Sequence, residues 1–304
     1  MNILVTGGTG FVGSAITYDL LKKDHKVFVT GRELVQQGAI LLNIHLTGLD
    51  WTWLKKQNIE AVYHQAANND TQSTDEDDML QANYFAPCYM FNTLYRFGCR
   101  KFIYASSTAV YGNSPAPYIE NETTISPLTY YGKSKAMFDE FAMNFAKERK
   151  DASVIGLRYC NVYGHGEQQK QKRASMIYQL LACFYAGETP SLFEFGEQKR
   201  DWIYIEDVVK ANCLALDCNV SDVYNCASGK STSFNRLVEI INEIKYTDWS
   251  VNYIKNFIAD TYQTDTCCNI SKIQNDLKFS VDYPIELGLA EMIKHFDFWN
   301  QTHD

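Results

Sequence analysis

A serine, a tyrosine and a lysine in this chain have the types and spacing needed to move a proton to or from a hydroxyl group. Tyr131 and Lys135 stand four residues apart in Y-G-K-S-K, so a helix would place both on one face. An ammonium group beside a phenol favours the phenolate and so allows proton exchange near neutral pH. Ser107, in S-S-T-A-V-Y-G, precedes the pair and could hydrogen-bond the same hydroxyl. Tyr130 lacks such a partner, because Ser134 stands four residues after it.

A glycine-rich segment near the start of the chain has a pattern typical of dinucleotide binding. Residues 7–13 read G-G-T-G-F-V-G, after an apolar run at 2–6 and before a helical pattern that continues to about residue 23. Glycines in such a turn let the backbone approach a pyrophosphate, and the N-terminus of the next helix faces the phosphates. The turn therefore predicts an NAD(P) site. The contacts predicted here come from Gly7, Gly10, Phe11, Val12 and Gly13.

The second predicted strand ends without the acidic residue that usually binds the adenosine ribose. Its sequence is V-F-V-T-G-R, so Thr30 stands where the acid is expected and Arg32 follows two residues later. A carboxylate would repel a 2′-phosphate, whereas a guanidinium group can pair with it. The sequence therefore favours NADP over NAD. NAD is the alternative if Arg32 is only a solvated surface charge.

Strands and helices that could position these residues alternate through the first half of the chain. Apolar runs predict strands at 2–6, 27–30, 39–44, 61–64, 101–105 and 154–157. Helical patterns lie between most of them, including 51–57, 79–98 and 131–149. This alternation predicts an α/β fold with a doubly wound parallel sheet, a Rossmann domain, whose carboxyl edge binds the ligand.

The second half of the chain is less regular and is predicted to close over that edge. We assign residues 1–163 to the NAD(P)-binding Rossmann domain, with a return segment around 203–228. Residues 164–202 and 229–304 are assigned to a smaller α/β region that binds the substrate.

The composition restricts the class of ligand. With 46% hydrophobic and 21% charged residues, the chain reads as an ordinary soluble globular protein. Its net charge of −8 disfavours nucleic acid and anionic membranes as partners. No apolar run approaches a membrane span and no leader pattern is seen, so we expect a cytoplasmic protein. The nine cysteines are scattered and are expected to be free thiols, and no Cys/His spacing predicts a metal site.

A basic segment stands out in this acidic chain. Residues 168–173 read Q-Q-K-Q-K-R, with three positive charges and no acid, and Lys199 and Arg200 form a second basic pair. Such local charge could attract and hold a diphosphate. The alternative is a solvated loop without a ligand. His165 is a weaker candidate for an acid or base.

The motifs as a set resemble the extended short-chain dehydrogenase/reductase family, from residue 3 to the last helix. Besides the glycine turn, S-S-T-A-V-Y-G and Y-x-x-x-K, they are H-Q-A-A (64–67), Asn83, R-Y-C-N-V-Y-G (158–164) and R-D-W-I-Y-I-E-D-V (200–208). Within the family the likeness is greatest to the ADP-heptose 6-epimerase group. The segments that carry it are 138–141, 174–177, 192–208 and 261–266.

The resemblance implies a nucleotide-diphosphate-sugar epimerase, an enzyme of cell-surface carbohydrate synthesis that transiently oxidises a sugar carbinol. It implies that Tyr131 serves one face of the sugar and Lys170 the other. The implied catalytic residues are Ser107, Tyr131, Lys135 and Lys170. Beyond the glycine turn and Arg32, the implied cofactor contacts are Ala66, Ala67, Asn83, Tyr131 and Lys135. The implied substrate contacts are Thr71, Ser107, Thr108, Asn161, Lys170, Ser175, Phe193, Arg200 and Tyr262.

The resemblance also implies a homo-oligomer, because the helix that follows Tyr131 commonly joins a subunit interface in this family. An apolar stripe on that helix could pack against the sheet or against a partner helix. Its members are Met137, Phe138, Phe141 and Phe145.

Two departures from the family pattern bear on the substrate and the cofactor. His165 and Gly166 stand where the family usually has Pro-Arg, and His45 replaces the usual acid near the adenine. The main alternative to an epimerase is an NADPH-dependent keto-sugar reductase. A 4,6-dehydratase is disfavoured, because Thr108 and Ala109 follow the serine instead of an acidic pair. A non-catalytic NADP-binding protein is disfavoured by the retained tyrosine and lysine.

Overall fold

A parallel β-sheet forms the centre of the first half of the chain. The computed structural model describes residues 1–31, 37–42, 46–256 and 265–303. The strands of the first half are β1 (Asn2–Thr6), β2 (Lys26–Val29), β3 (Ile40–Leu41), β4 (Ala61–His64), β5 (Lys101–Ser107), β6 (Ser153–Tyr159) and β7 (Val162–Tyr163). The strands that follow are β8 (Ser191–Phe193), β9 (Lys199–Asp201), β10 (Ile203–Tyr204), β11 (Asp222–Cys226), β12 (Ser231–Ser233) and β13 (Asn252–Ile254).

Helices cover both faces of this sheet. They are α1 (Phe11–Lys22), α2 (Trp51–Lys56), α3 (Glu76–Leu80), α4 (Ala86–Arg96), α5 (Tyr130–Glu148), α6 (Met176–Tyr185), α7 (Ile205–Asp217), α8 (Phe234–Lys245), α9 (Ser271–Leu277) and α10 (Ile285–His303). A π-helical turn, Gln81–Phe85, joins α3 to α4, and short 3₁₀ turns lie at Leu46–Gly48, Thr108–Tyr111 and Glu167–Arg173. Among the helices within the described ranges, none is long and apolar enough to cross a membrane.

Within the described ranges, seven parallel strands pair in the order β11-β6-β5-β4-β1-β2-β3. The order reverses between β1 and β4, since the chain runs outward to β3 on one side and to β11 on the other. Such a reversal leaves a crevice at the carboxyl ends of the two central strands. The structure thus confirms the predicted doubly wound α/β fold, and the crevice lies where Thr6 and His64 end their strands.

Alternation of side chains along the strands divides the core into two layers. In β1, Ile3 and Val5 pack with α1, α7 and α9, whereas Leu4 packs on the opposite face with α2, α4 and α5. Successive strand residues point to opposite faces, so a strand buried on both sides needs a continuous apolar run. This is why the apolar runs predicted the strands well.

A third cluster forms the core of the second half of the chain. It joins residues from α6, α8 and α10 with β8 and β10, including Leu181, Leu192, Leu237 and Met292. The segment Ile205–Asp217 and the strand Asp222–Cys226 return to the sheet, where α7 packs on α1 and β11 pairs with β6. The domain boundaries given above stay a prediction.

Two local features differ from the sequence-based expectation. The strand β11 reads D-V-Y-N-C and carries too little apolar pattern to be recognised, yet Tyr224 and Asn225 are fully buried. In the apolar stripe of α5, Phe138 and Phe145 are buried against the sheet side, so these two side chains are not available to a partner helix. The packing alternative for the stripe is therefore correct for them.

A buried ion pair connects α5 to the sheet. The Arg158 Nε atom of β6 lies 2.9 Å from Asp139 Oδ2 of α5, and both side chains are almost completely buried. The Arg158 Nη1 atom donates to the Tyr111 hydroxyl at 2.8 Å, which in turn lies 2.7 Å from Asn225 Oδ1 of β11. The network thus fixes α5, and with it Tyr131, relative to the carboxyl ends of β5 and β6.

We predict that Arg158→Met lowers the free energy of unfolding by about 3–5 kcal/mol, because it leaves the Asp139 carboxylate buried without its partner. Denaturant unfolding followed by circular dichroism measures the change. Arg236→Met is the matched control, since Arg236 pairs with Glu239 and Glu243 on the exposed face of α8, where solvent screens the attraction. Equal effects of the two substitutions would contradict the role given to the buried pair.

Candidate active site

The glycine turn between β1 and α1 is packed against the end of β4. Gly7 has φ +67°, and a Cβ atom there would lie 2.7 Å from the backbone nitrogen of Ala66. A Cβ atom on Gly13 would lie 2.2 Å from the carbonyl oxygen of Gly7. Side chains at either position would therefore force the turn away from the sheet. Ala66 is brought against the turn, as a cofactor contact there requires, whereas Ala67 is exposed in the loop that follows.

The start of α1 provides the features that a pyrophosphate needs. Gly10 is the N-cap of the helix and supplies no side-chain cap to the helical N–H groups that follow, beginning with Phe11, Val12 and Gly13. Uncapped N–H groups at a helix N-terminus attract anions, and the missing side chains let a phosphate approach. The turn therefore fits the dinucleotide that its sequence predicts.

Thr30, which stands where an acid is expected at the end of the second strand, is hydrogen-bonded to the glycine turn. Its hydroxyl accepts a hydrogen bond from the Gly7 backbone N–H at 3.1 Å, and its carbonyl accepts one from Gly8 at 3.0 Å. The side chain is buried and turned towards the glycine turn. Recognition of the ribose would thus fall to residues after Thr30. Arg32, and His45 after the third strand, lie outside the described residues.

Ser107 and Tyr131 meet because two turns pack closely at the carboxyl end of β5. Ser107 caps the 3₁₀ turn Thr108–Tyr111, where its hydroxyl accepts from Ala109 N at 3.1 Å. Thr129 caps α5 by accepting from Gly132 N at 3.1 Å. A Cβ atom on Gly132 would lie only 2.7 Å from the Ala109 carbonyl oxygen, so glycine permits the contact.

The environment of Tyr131 differs from the expectation based on sequence. Burial raises the pKa of the phenol, and a hydrogen bond from the Ser107 side chain opposes this shift. Lys135 has its Nζ atom 5.8 Å from the centre of the Tyr131 ring and donates at 2.8 Å to the carbonyl oxygen of Ala105. The expected lowering of the phenol pKa by the ammonium is therefore wrong for this arrangement, because burial dominates.

Burial also changes the proton affinity of Lys135. It lowers the pKa of the ammonium group to about 8, and the nearby Asp139 carboxylate acts in the opposite direction. The same surroundings lower the pKa of His64 to about 3, first through burial and then through Lys135. Lys135 can thus exchange a proton close to neutral pH, which suits a residue coupled to an acid–base reaction.

Lys170 lies in the turn Glu167–Arg173 and reaches the start of α1. Its Nζ atom is 3.2 Å from Glu167 Oε2 and 3.9 Å from the centre of the Phe11 ring. Burial lowers the pKa of the Lys170 ammonium group, and Glu167 opposes this shift. The structure thus brings a second, partly buried amine to the glycine turn.

Several predicted contact residues hold the backbone in place. Asn83 is buried and bonds both backbone groups of Asn68 and the Ser134 hydroxyl, so it joins the loop after β4 to α5. The Thr108 hydroxyl donates to the Tyr159 carbonyl at 3.3 Å. The Ser175 hydroxyl donates to Glu167 and accepts from Tyr178 N at the start of α6. These contacts occupy the side-chain groups that a ligand would need, and direct binding by them stays a prediction.

The remaining predicted substrate residues are spread along the loops at the carboxyl edge. Asn161 donates to the Asp201 carbonyl and to the Thr266 hydroxyl. Arg200 is nearly buried, with its guanidinium carbon 5.8 Å from the centre of the Phe234 ring, and Phe193 is half-buried in β8. Thr71 is exposed in the loop after β4, whose Asp70 pairs with Arg173 at 3.0 Å. Tyr262 lies outside the described residues.

His165 contacts α10 and the start of α7. Its ring stacks on His295 of α10 at 4.8 Å, and its Nε2 atom is 3.8 Å from Glu206 Oε1. Burial lowers the pKa of His165, followed by the effect of His295. Together these contacts favour a structural role at the α10 interface. Within the described ranges, no group of three or more His, Cys, Asp or Glu residues could hold a metal ion.

Sequence reasoning missed two buried carboxylates. Glu167 is fully buried and accepts from Gly164, Lys170 and Ser175. Asp201 accepts from the backbone of Ser228, Gly229 and Cys268, and burial raises its pKa to about 6. The motif R-D-W-I-Y-I-E-D-V contains Asp201, and Glu167 stands where the family pattern also has Glu, so both were visible in the sequence but had no assigned task.

Comparison with known proteins agrees with this arrangement. The sequence model described as the NAD dependent epimerase/dehydratase family matches residues 3–227. The chain is 34% identical over 291 residues to ADP-L-glycero-D-manno-heptose-6-epimerase from Brachyspira hyodysenteriae, covering 90% of each protein.

Solved structures show the same fold. The crystal structure of the Helicobacter pylori ADP-L-glycero-D-manno-heptose-6-epimerase has a TM-score of 0.88 and 34% identity, covering 97% of this chain and 96% of that one. The UDP-N-acetylglucosamine 4-epimerase from Methanobrevibacter ruminantium, in complex with UDP-N-acetylmuramic acid, has a TM-score of 0.89 and 28% identity, covering 98% of each chain. With its glycine turn, its serine, tyrosine and lysine and its matching sheet, the chain belongs to the NAD dependent epimerase/dehydratase family.

Proposed function

We propose that this protein is an epimerase of a nucleotide-diphosphate sugar, with Tyr131 and Lys170 as its two acid–base groups. The observation that carries the proposal is the second amine, Lys170, which is partly buried and lies over Phe11 at the start of α1. A one-sided reductase needs a single proton-transfer group, and Tyr131 would suffice. An epimerase must serve two faces of one carbonyl, so two such groups are expected.

The chain's own residues divide the work. A nicotinamide cofactor held at the glycine turn would supply reversible hydride transfer with a sugar carbinol carbon. Ser107 and Tyr131 hold and exchange the proton of the hydroxyl on one face, and Lys135 holds the ribose side of the cofactor. Lys170 exchanges the proton on the other face. Lys135 is buried and the other three groups are partly buried, which strengthens their electrostatic effect on the carbonyl oxygen.

The proposed substrate is an ADP-heptose, and the reaction inverts its carbon 6. Two relatives with this activity in their names, at 34% identity and nearly full coverage, support the choice. The proposal adds that Arg200 and Tyr262 hold the diphosphate, with the loops around Phe193 and Asn161 near the nucleotide. The predicted homo-oligomer, cytoplasmic location and role in cell-surface carbohydrate synthesis stay predictions.

The proposed cofactor is NADP, with NAD as the alternative. The Thr30 hydroxyl is hydrogen-bonded to Gly7 of the glycine turn, and the next side chain that could contact the ribose is that of Arg32. We expect Arg32→Ala to weaken NADP binding roughly 10- to 100-fold, the worth of a charge-assisted hydrogen bond, and to leave NAD binding unchanged. Calorimetry with each cofactor measures both affinities. Tighter binding of NAD than of NADP in both proteins would refute the preference.

For Tyr131, we expect Tyr131→Phe to lower kcat roughly 10²–10⁴-fold, since it removes only the oxygen that exchanges the proton. Turnover of ADP-heptose measures the loss, with cofactor binding as the test of folding. Tyr130→Phe is the matched control, because Tyr130 is the neighbouring tyrosine without a lysine four residues on, and it should react normally. Near-normal turnover by Tyr131→Phe would exclude the assignment.

For Lys170, we expect Lys170→Met to keep cofactor binding and to abolish epimerisation in both directions. Transfer of deuterium between one labelled epimer and the cofactor should persist, because Tyr131 still serves that face. The control is Lys133→Met, since Lys133 pairs with Glu76 on the surface of α5. A raised KM with unchanged kcat would mean that Lys170 only binds the diphosphate, and normal epimerisation would refute the two-base proposal.

A further inference from the structure

The carboxylate of Glu167 is fully buried, and both of its oxygen atoms accept hydrogen bonds from the short stretch 164–175. Its Oε1 atom accepts from Gly164 N at 3.1 Å and from the Ser175 hydroxyl at 2.8 Å. Its Oε2 atom accepts from Ser175 N at 2.6 Å and from Lys170 Nζ at 3.2 Å. A buried charge is costly unless it is compensated, and here the ammonium group is the only full charge among these four donors.

The position of Lys170 follows from this contact. Glu167 and Lys170 are three residues apart in the same 3₁₀ turn, so their side chains leave the turn on one side. The ammonium group is then held between the carboxylate and the Phe11 ring, whose centre is 3.9 Å from Nζ. A Cβ atom on Gly166, the residue before the turn, would be 3.7 Å from Phe11 Cδ2, so the chain also passes close to this ring as it enters the turn.

We propose that Glu167 is a positioning residue, which holds the Lys170 ammonium group over Phe11 at the glycine turn and ties it to the start of α6. The proposal rests on the function given above to Lys170. Glu167 is enclosed and does not reach the substrate itself. The Glu167 side chain connects three segments: the residue after β7, the Glu167–Arg173 turn and the residue before α6.

The other charged and titratable groups near Lys170 contact residues other than Lys170. Arg173 is directed to Asp70 in the loop after β4. His165 is directed to His295 and Glu206. Tyr178 of α6 has its pKa raised first by burial and then by Glu167. Of the described charged groups, Glu167 is thus the one whose removal should change the titration of Lys170.

The decisive experiment measures Lys170 directly and needs no substrate. Competitive acetylation by acetic anhydride across a pH series, read by mass spectrometry, gives the titration midpoint of the Lys170 amine. In Glu167→Gln this midpoint should fall, because the neutral amide no longer favours the ammonium form. Asp207→Asn is the matched control, since Asp207 is an equally buried carboxylate that accepts from Asp282 N and Tyr283 N and does not contact Lys170. An unchanged midpoint in Glu167→Gln, or an equal fall in both variants, would refute the proposal.

Activity distinguishes positioning from general support of the fold. In Glu167→Gln, kcat for epimerisation should fall about 10²-fold with little change in KM, as expected for a misplaced catalytic group. In a Lys170→Met background the same substitution should leave the residual deuterium transfer unchanged, because its effect acts through Lys170. A further loss in that background would mean that Glu167 acts by some other route.

If Glu167→Gln does not fold, Glu167→Asp takes its place. It keeps the charge but is one methylene too short to reach all four donors, so it should lower kcat with Lys170 present and not without it. The labelling also separates the two proposals. A shifted Lys170 midpoint together with normal epimerisation by Lys170→Met would uphold the positioning role and refute the proposed catalytic one.

Discussion

The close approach of the glycine turn to the end of β4 is the constraint on which the rest of the site depends. Gly7 lies against the backbone of Ala66, and Gly13 lies against Gly7, so β1, α1 and β4 converge without side chains between them. This convergence falls at the reversal of strand order, where parallel strands leave a crevice. The N-terminus of α1 is left without a side-chain cap there, and its first residue, Phe11, is contacted by Lys170 of the Glu167–Arg173 turn.

Burial, more than pairing, sets the proton affinities around this crevice. It lowers the pKa of both amines, Lys135 and Lys170, and raises that of the Tyr131 phenol. Because an unperturbed lysine titrates only slightly above tyrosine, these opposite shifts place the pKa of Lys135 below that of Tyr131 and separate the two groups on the pH scale. The same burial requires compensation, and the carboxylates Asp139 and Glu167 act against the shift of the amine that each one faces.

Buried carboxylates also organise the second half of the chain, where regular structure is scarce. Glu167 accepts hydrogen bonds from the turn before α6. Asp201 accepts them from the turns at Ser228 and Cys268, and Asp207 accepts them from the segment before α10. Each accepts backbone N–H groups that strands or helices would otherwise satisfy. The loop segments that these three carboxylates contact are therefore fixed by single side chains, which makes them sensitive to individual substitutions.

Local sequence determined the fold class and the candidate reacting groups, because both depend on short-range patterns. Continuous apolar runs specify strands that are buried on two faces, and Tyr131 and Lys135 share a face through helical spacing alone. Tertiary structure alone decided where charges lie and what they meet. β11 becomes a strand only by pairing with β6, Thr30 turns to Gly7, and Glu167 meets Lys170 because the turn that carries them folds back onto α1. Desolvation depends on neighbours distant in sequence, so no local pattern could predict the direction in which the pKa of Tyr131 moves.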